Sequence, residues 1–126
     1  MYELKVETDF AAAHRLTMVG EKCENLHGHN WKIEVVVSGR DLDNGGVLMD
    51  FGIIKTHVRE IMGTLDHKFL NELAFFDDTT PPSSENIAQY IATALQARID
   101  RPGIRVDRVS AWESKDACAT YIPAGS

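Results

Sequence analysis

Three histidines lie near the ends of two predicted strands, and neutral imidazoles are good ligands for zinc. His14 closes an alternating segment that begins at Tyr2, and His27 and His29 open the next segment. Successive side chains of a strand point to opposite faces, so His27 and His29 share one face. If the chain folds back between this pair and His14, three imidazoles come together. Three such ligands leave one tetrahedral position open, as a catalytic zinc ion requires.

Cys23 lies just before this histidine pair, and three roles are open to it. As a fourth ligand it would close the zinc site and make it structural. As a thiolate beside a metal or an imidazolium it would act as a base or a nucleophile. It could also be an inert thiol. The residues alone do not decide between the first two roles.

Two further polar groups are weaker candidates. Asp66 and His67 are adjacent, and a carboxylate can fix the tautomer of an imidazole or raise its basicity. Because neighbouring side chains diverge in a helix or a turn, each is expected to act on another partner. An exposed charged pair is the simpler interpretation. Glu113 stands near the end of a predicted strand, where a carboxylate is usually solvated.

Hydrophobic periodicity predicts the elements that must position these residues. The even positions of Tyr2–His14 and the odd positions of Trp31–Val37 are mostly apolar, which is the alternation of half-buried strands. Asp50 and Ser83 are typical helix N-caps, and each precedes an apolar helical stripe. The first stripe comprises Phe51, Ile54, Val58, Ile61 and Met62, and the second comprises Ala88, Ile91, Leu95 and Ile99.

Two shorter strand candidates, Ile104–Glu113 and Cys118–Ile122, follow the second helix. The predicted order is therefore β-β-α-α-β-β, an α+β fold with a four-stranded, largely antiparallel sheet. The whole chain, residues 1–126, is interpreted as a single domain. Such a sheet leaves its edges unpaired, and self-association is one way to cover them.

The composition excludes several classes of protein. The formal net charge is -6 and there is no basic stripe, which argues against nonspecific nucleic-acid binding. No run is apolar and long enough to span a bilayer, and the first residues lack the order of a signal peptide. We therefore expect a cytoplasmic protein with no membrane partner. With only 2 cysteines, a disulfide scaffold is not expected.

Several short motifs occur over nearly the whole chain. They are Phe10-Ala11-Ala12-Ala13-His14-Arg15-Leu16, Cys23 before His27-Gly28-His29, Asp50-Phe51, Leu65-Asp66-His67 with Leu70-Asn71, Ser84-Glu85-Asn86, and Trp112-Glu113-Ser114. Together they resemble the 6-pyruvoyl-tetrahydropterin synthase family. The resemblance is greatest to its 6-carboxy-5,6,7,8-tetrahydropterin synthase branch, which serves queuosine biosynthesis. The short spacing between Cys23 and His27 favours that branch. Ser83 and Ser114 stand where the family commonly has threonine, and each serine keeps the hydroxyl group.

This resemblance implies a tunnelling fold, in which the sheets of several subunits close into a barrel, typically in a hexamer made of two trimers. It also implies a zinc cofactor and a pterin substrate, 7,8-dihydroneopterin triphosphate. The positions that match the family's functional residues are His14, His27 and His29 for zinc, Cys23, Asp66 and His67 for proton transfer, and Glu113 for the pterin ring. The family role thus favours catalysis rather than metal ligation for Cys23.

Three alternative functions remain open. A pyruvoyl-forming synthase would use the same site residues and differ only in its product. A zinc hydrolase would activate water at the metal and would not need Cys23. A non-enzymatic module stabilised by zinc would place Cys23 on the metal.

Overall fold

One sheet with two helices packed against it forms the domain, in a computed structural model that describes residues 1–16 and 27–124. The elements in chain order are β1 (Tyr2–His14), β2 (His27–Gly39), α1 (Phe51–Gly63), β3 (Lys68–Phe69), a 3₁₀ helix (Leu70–Glu72), α2 (Ser84–Arg98), β4 (Arg105–Ser114) and β5 (Ala117–Tyr121). The predicted α+β class and the predicted order of the long elements are confirmed.

The sheet has five strands in the order β3-β1-β2-β4-β5, one more than the sequence predicts. The additional strand is β3, which pairs parallel with β1 through Ala12↔Lys68 and Ala13↔Phe69. All other neighbours are antiparallel. A strand of 2 residues is too short to show alternation, which explains why the sequence prediction missed it.

The pairing of β1 with β2 sets the two faces of the sheet. Phe10 lies opposite Trp31, and their rings are stacked with centroids 6.0 Å apart. Trp31 is fully buried in the core between the sheet and the helices. A slip of one residue would turn Trp31 to the other face and bring Lys32 inward, so the hydrophobic pattern specifies the register. The same register directs His14 to the core side, where it is 1% exposed.

Both helices begin at the predicted caps. Asp50 accepts a hydrogen bond from Gly52 N, and Ser83 accepts one from Asn86 N. The prediction was wrong for Phe51, which is 46% exposed. A helical side chain leans toward the helix N-terminus, so in the first turn it extends past the start of the helix. Neither α1 nor α2, the α-helices of the described residues, is long and apolar enough to cross a membrane.

We expect the replacement Leu95→Ala to lower the free energy of unfolding by about 2–5 kcal/mol, because it leaves a cavity in a packed core. Leu95 is fully buried on the inner side of α2. Thr93 lies on the exposed side of the same helix, so Thr93→Ala should change stability by less than about 0.5 kcal/mol. Urea unfolding at one protein concentration measures both, and equal effects would contradict this assignment of the helix faces.

Candidate functional site

Two of the predicted zinc ligands meet at one end of β1 and β2. The Cα partner of His29 is Ala12, which lies on the same face of β1 as His14. The centroids of the two imidazole rings are 5.0 Å apart. Both rings contact Trp31 edge-on, at centroid distances of 5.1 Å and 5.4 Å. Trp31 therefore provides an apolar surface against which both imidazoles pack.

A backbone carbonyl orients the buried imidazole of His14. Nδ1 of His14 lies 2.8 Å from the carbonyl oxygen of Pro82. A carbonyl only accepts, so we assign the ring proton to Nδ1. Nε2 is then the ring nitrogen that carries the lone pair, which is the tautomer that histidine ligands of metals commonly show.

Glu113 joins the two histidines. Its Oε1 lies 3.1 Å from Nε2 of His29 and 3.4 Å from Nε2 of His14. Ser84 Oγ donates to the other carboxylate oxygen of Glu113, Oε2, at 3.4 Å. Ligand atoms of the two histidines and Glu113 all lie within 4.8 Å of one another. Imidazole nitrogens and a carboxylate oxygen are a donor set that fits zinc.

No local pattern in the sequence predicts that Glu113 lies beside the histidines. Its position follows from strand pairing, because β4 runs antiparallel to β2 and brings Trp112 opposite Lys32. Glu113 thereby reaches the end of β2 that carries His29. The carboxylate stays 40% exposed, so one side of it can receive a ligand.

The structure describes only the backbone of His27, and it does not describe Cys23. The Cα register pairs His14 directly with His27, so the backbone brings this predicted ligand to the same end of the sheet. The side chain of His27 and the whole of Cys23 lie outside the described residues. The three-histidine site therefore stays a prediction, of which two members are observed together.

Asp66 and His67 are fixed to the outer edge of β1. Oδ1 of Asp66 accepts a hydrogen bond from Ala11 N at 2.9 Å, and His67 N donates to Ala11 O. The expectation that the two side chains diverge was wrong, since His67 Nε2 lies 3.4 Å from Asp66 Oδ2. His67 has a φ of 58°, in the left-handed region that non-glycine residues seldom adopt, and in this conformation the two neighbouring side chains lie close together.

An open cavity of about 530 Å³ is lined by His29 on one strand and by His67 in the turn before β3. Its lining comprises Ala11, Ala12, Ala13, Gly28, His29, Asn30, His67, Lys68 and Phe69. His67 and one predicted zinc ligand, His29, thus share one cavity. Lys68 is the cation of this lining, a position that the sequence prediction left without a role.

Asn71 holds the end of β1 beside the site, a role that no local sequence pattern indicates. Its Oδ1 accepts a hydrogen bond from Arg15 N at 2.8 Å, and its Nδ2 donates to Arg15 O at 2.8 Å. One side chain thereby pairs with both backbone groups of the residue that follows His14. The end of β1 is fixed even though the paired part of β3 stops at Ala13.

We expect Asn71→Ala to increase amide hydrogen exchange at Arg15 by about tenfold, since a backbone hydrogen bond worth about 1 kcal/mol is lost. Asn71→Asp keeps an acceptor for Arg15 N and should preserve most of the protection. Exchange measured by NMR tests both variants. Unchanged exchange at Arg15 in Asn71→Ala would show that the two hydrogen bonds do not hold the strand end.

Comparison with solved structures identifies the class of fold. The structure of Caenorhabditis elegans 6-pyruvoyl tetrahydropterin synthase aligns with a TM-score of 0.86 and 27% identity, over 98% of this chain and 96% of that one. This likeness confirms the predicted tunnelling fold. The model of the 6-pyruvoyl tetrahydropterin synthase family matches residues 3–124, and the chain belongs to that family.

Relatives within the family carry different reaction names. A protein of Archaeoglobus fulgidus named a putative 6-carboxy-5,6,7,8-tetrahydropterin synthase is 38% identical over 114 residues, which is 90% of each chain. A Pyrococcus furiosus protein named dihydroneopterin monophosphate aldolase is 36% identical over 108 residues, 85% of each chain. The comparisons thus establish a family of pterin enzymes and leave the particular reaction to be argued from the site.

Proposed function

We propose that this protein is a zinc-dependent lyase, a 6-carboxy-5,6,7,8-tetrahydropterin synthase of queuosine biosynthesis. It would convert 7,8-dihydroneopterin triphosphate into 6-carboxytetrahydropterin, acetaldehyde and triphosphate. The observation that carries the proposal is the pair His14 and His29, packed against Trp31, with His29 lining a cavity that His67 also lines. The name and similarity of the Archaeoglobus fulgidus relative support this choice of reaction.

In this proposal His14, His27 and His29 hold the zinc ion. The support is the Nδ1–H of His14 held by Pro82, which leaves Nε2 for a metal, together with the Cα pairing of His14 with His27. Bound zinc would act as a Lewis acid toward oxygens of the substrate side chain. The open tetrahedral position that three imidazoles leave is where such oxygens would bind.

Protons would move through Cys23 and His67. Cys23, as a thiolate, would transfer a proton at a carbon of the substrate side chain. His67, held beside the Asp66 carboxylate, would exchange a proton with a side-chain oxygen. Support for the second role is geometric, because the His67 side chain is 80% exposed and lies on the cavity that reaches His29.

The overall change needs no redox cofactor. Loss of triphosphate removes one oxygen from the three-carbon side chain, and cleavage of a carbon–carbon bond releases two carbons as acetaldehyde. The carboxylate and the aldehyde together contain three oxygens, so one water molecule is consumed. Oxidation of one carbon is matched by reduction within the same molecule. Lys68, a cation in the lining of the cavity, would contact a phosphate group of the substrate.

Glu113 would recognise the pterin ring. A carboxylate can accept two parallel hydrogen bonds from the amino group and the adjacent ring N–H of a pterin. The partial exposure of Glu113 and the hydroxyl of Ser84 at its other oxygen fit such an anchor. It lies next to His29, so the ring would bind beside the metal.

We also propose that the protein acts as a homo-oligomer, a hexamer of two trimers. The sheet ends at β3 on one side and β5 on the other, which are strands of 2 and 5 residues. A sheet edge exposes unpaired N–H and C=O groups with which another chain can pair. Closure of the sheets into a barrel would cover both edges.

A second candidate reaction is the cleavage of dihydroneopterin monophosphate, because the Pyrococcus furiosus relative of that name is nearly as similar. Product analysis distinguishes the candidates. The purified protein is incubated separately with the triphosphate and the monophosphate of dihydroneopterin. We expect acetaldehyde and 6-carboxytetrahydropterin from the triphosphate. A pyruvoyl product, or turnover of the monophosphate alone, would overturn the proposed reaction in favour of another one.

The next prediction separates the metal ligands from the catalytic thiol. His27→Ala should lose both zinc and activity, because only two imidazoles remain. Cys23→Ala should keep one zinc per subunit and lose turnover. Metal analysis of the purified variants provides the measurement. Full zinc occupancy in His27→Ala would refute the ligand assignment, and loss of zinc from Cys23→Ala would favour a closed structural site.

For Glu113→Gln we expect weaker pterin binding. Zinc content should be unchanged, because in this proposal Glu113 lies beside the zinc ligands His14 and His29 without being a ligand itself. The glutamine replaces one acceptor by a donor, so a substrate N–H faces another N–H. An unmatched buried donor costs on the order of 1–3 kcal/mol. Pterin affinity should fall by roughly tenfold to several hundredfold, as measured by titration calorimetry. Equal affinities in the two proteins would mean that Glu113 does not contact the ring.

A further inference from the structure

We propose that Asn86 is a positioning residue for the zinc ligand His14, and that it acts through the turn formed by Pro81 and Pro82. This inference rests on the proposed zinc site. Asn86 belongs to α2 and His14 to β1, so the link between them joins two distant parts of the chain. Three consecutive hydrogen bonds in the structure carry the argument.

The first step is the double hold on the carbonyl of Pro81. That oxygen accepts a hydrogen bond from Ser83 N at 2.8 Å and another from Asn86 Nδ2 at 2.8 Å. The hydrogen bond from Ser83 N back to Pro81 O spans three residues, so it closes a γ-turn with Pro82 at its centre. The proline ring restricts φ at Pro82 to a range compatible with this turn. The two donors and the ring together fix the backbone before α2.

The second step leads from this turn to the histidine. The next carbonyl, that of Pro82, accepts the hydrogen bond from His14 Nδ1. The imidazole is nearly fully buried, so its ring N–H depends on a protein acceptor. A hydrogen bond at Nδ1 sets both the tautomer and the direction of Nε2. A shift of the Pro82 carbonyl would therefore turn the ligand atom away from its place.

The third step explains why an amide side chain is required at position 86. A residue at this point of a helix often reaches back to the backbone N–H of the cap residue. Here that N–H, on Ser83, already donates to Pro81 O. The side chain at position 86 therefore meets a carbonyl and must donate. Asparagine supplies two N–H donors, whereas aspartate at the same position would supply only acceptors.

Positioning by Asn86 can be separated from helix capping. The cap hydrogen bond uses the backbone N–H of Asn86, which donates to Ser83 Oγ at 3.1 Å. Replacement of the side chain leaves that backbone bond in place. Aspartate is also favourable in the first turn of a helix because of the helix dipole. Asn86→Asp should thus remove the hold on Pro81 without destabilising α2.

The experiment compares zinc affinity in the unaltered protein, Asn86→Ala and Asn86→Asp by competition with a chromophoric chelator. We expect affinity to fall by about three- to tenfold in Asn86→Ala, somewhat less than the 10- to 100-fold typical of residues that contact a ligand directly. Asn86→Asp should bind zinc more weakly although its melting temperature is not reduced. Zinc affinity within twofold of the unaltered protein in both variants would overturn the proposal.

A second readout does not depend on the metal. In protein treated with a chelator, NMR should show a protected Nδ1–H resonance for His14. In Asn86→Ala that resonance should broaden or disappear because the Pro82 acceptor is no longer fixed. An unchanged resonance would overturn the positioning role, even if zinc affinity fell for another reason.

Gln96→Ala is the matched control. Gln96 lies near the other end of α2, and its Oε1 accepts a hydrogen bond from Val106 N at 2.8 Å. This variant loses one side-chain-to-backbone hydrogen bond of the same length, so stability should fall while zinc affinity is kept. An equal loss of zinc affinity in Gln96→Ala would overturn the proposal, since general destabilisation would explain it. If the unaltered protein bound no zinc, the proposed function itself would fail.

Discussion

The antiparallel pairing of β1 with β2 is the constraint on which the rest of the structure depends. The pairing is continuous from Tyr2↔Gly39 to His14↔His27, with no break in register. Trp31, opposite Phe10, anchors it through the largest buried side chain of the core. Because side chains alternate with a period of two, the register that buries Trp31 also turns His14 and His29 inward. The same strand register therefore determines both the packing of the core and the positions of the candidate metal ligands.

A buried histidine is favourable only when its ring N–H is satisfied, and this requirement shapes the surroundings of the strand end. An unsatisfied buried donor costs about 1–3 kcal/mol, more than a hydrogen bond typically contributes. Pro82 meets the need of His14, while Asp66 and Asn71 hold the backbone on either side of it. Asp66 lies in the turn after α1, Asn71 in the 3₁₀ helix and Pro82 in the segment before α2, so several segments must pack before the site has its geometry.

The chain belongs to a family of pterin enzymes, and the different reaction names among its relatives show why the fold cannot specify the product. The side chains around the candidate site must make that distinction. In this chain His67, with its neighbouring carboxylate, and Lys68 lie on the cavity that His29 lines, and Glu113 lies beside His14 and His29. A formal net charge of -6 makes any local cation near a phosphate group consequential.

Features that depend on local periodicity and local chemistry could be predicted from the sequence. Alternation predicted the shared face of His14 and His29, and short polar side chains predicted the caps at Asp50 and Ser83. Motif resemblance predicted the family and the tunnelling fold. Each of these signals lies within a few residues, or in a motif pattern that can be recognised before the packing is known.

Contacts between distant parts of the chain could not be predicted from the sequence and are known only from the folded structure. The contacts of Asp66 with Ala11 and of His14 with Pro82 join residues 55 and 68 positions apart. The pairing of β4 with β2 brings Glu113 to the histidines. The short strand β3 exists only because Lys68 and Phe69 pair with β1. No periodicity records such contacts, because a hydrogen bond between remote segments depends on how whole elements pack. The face of each strand is a local property of the sequence, whereas the partner of each polar atom is a property of the assembled fold.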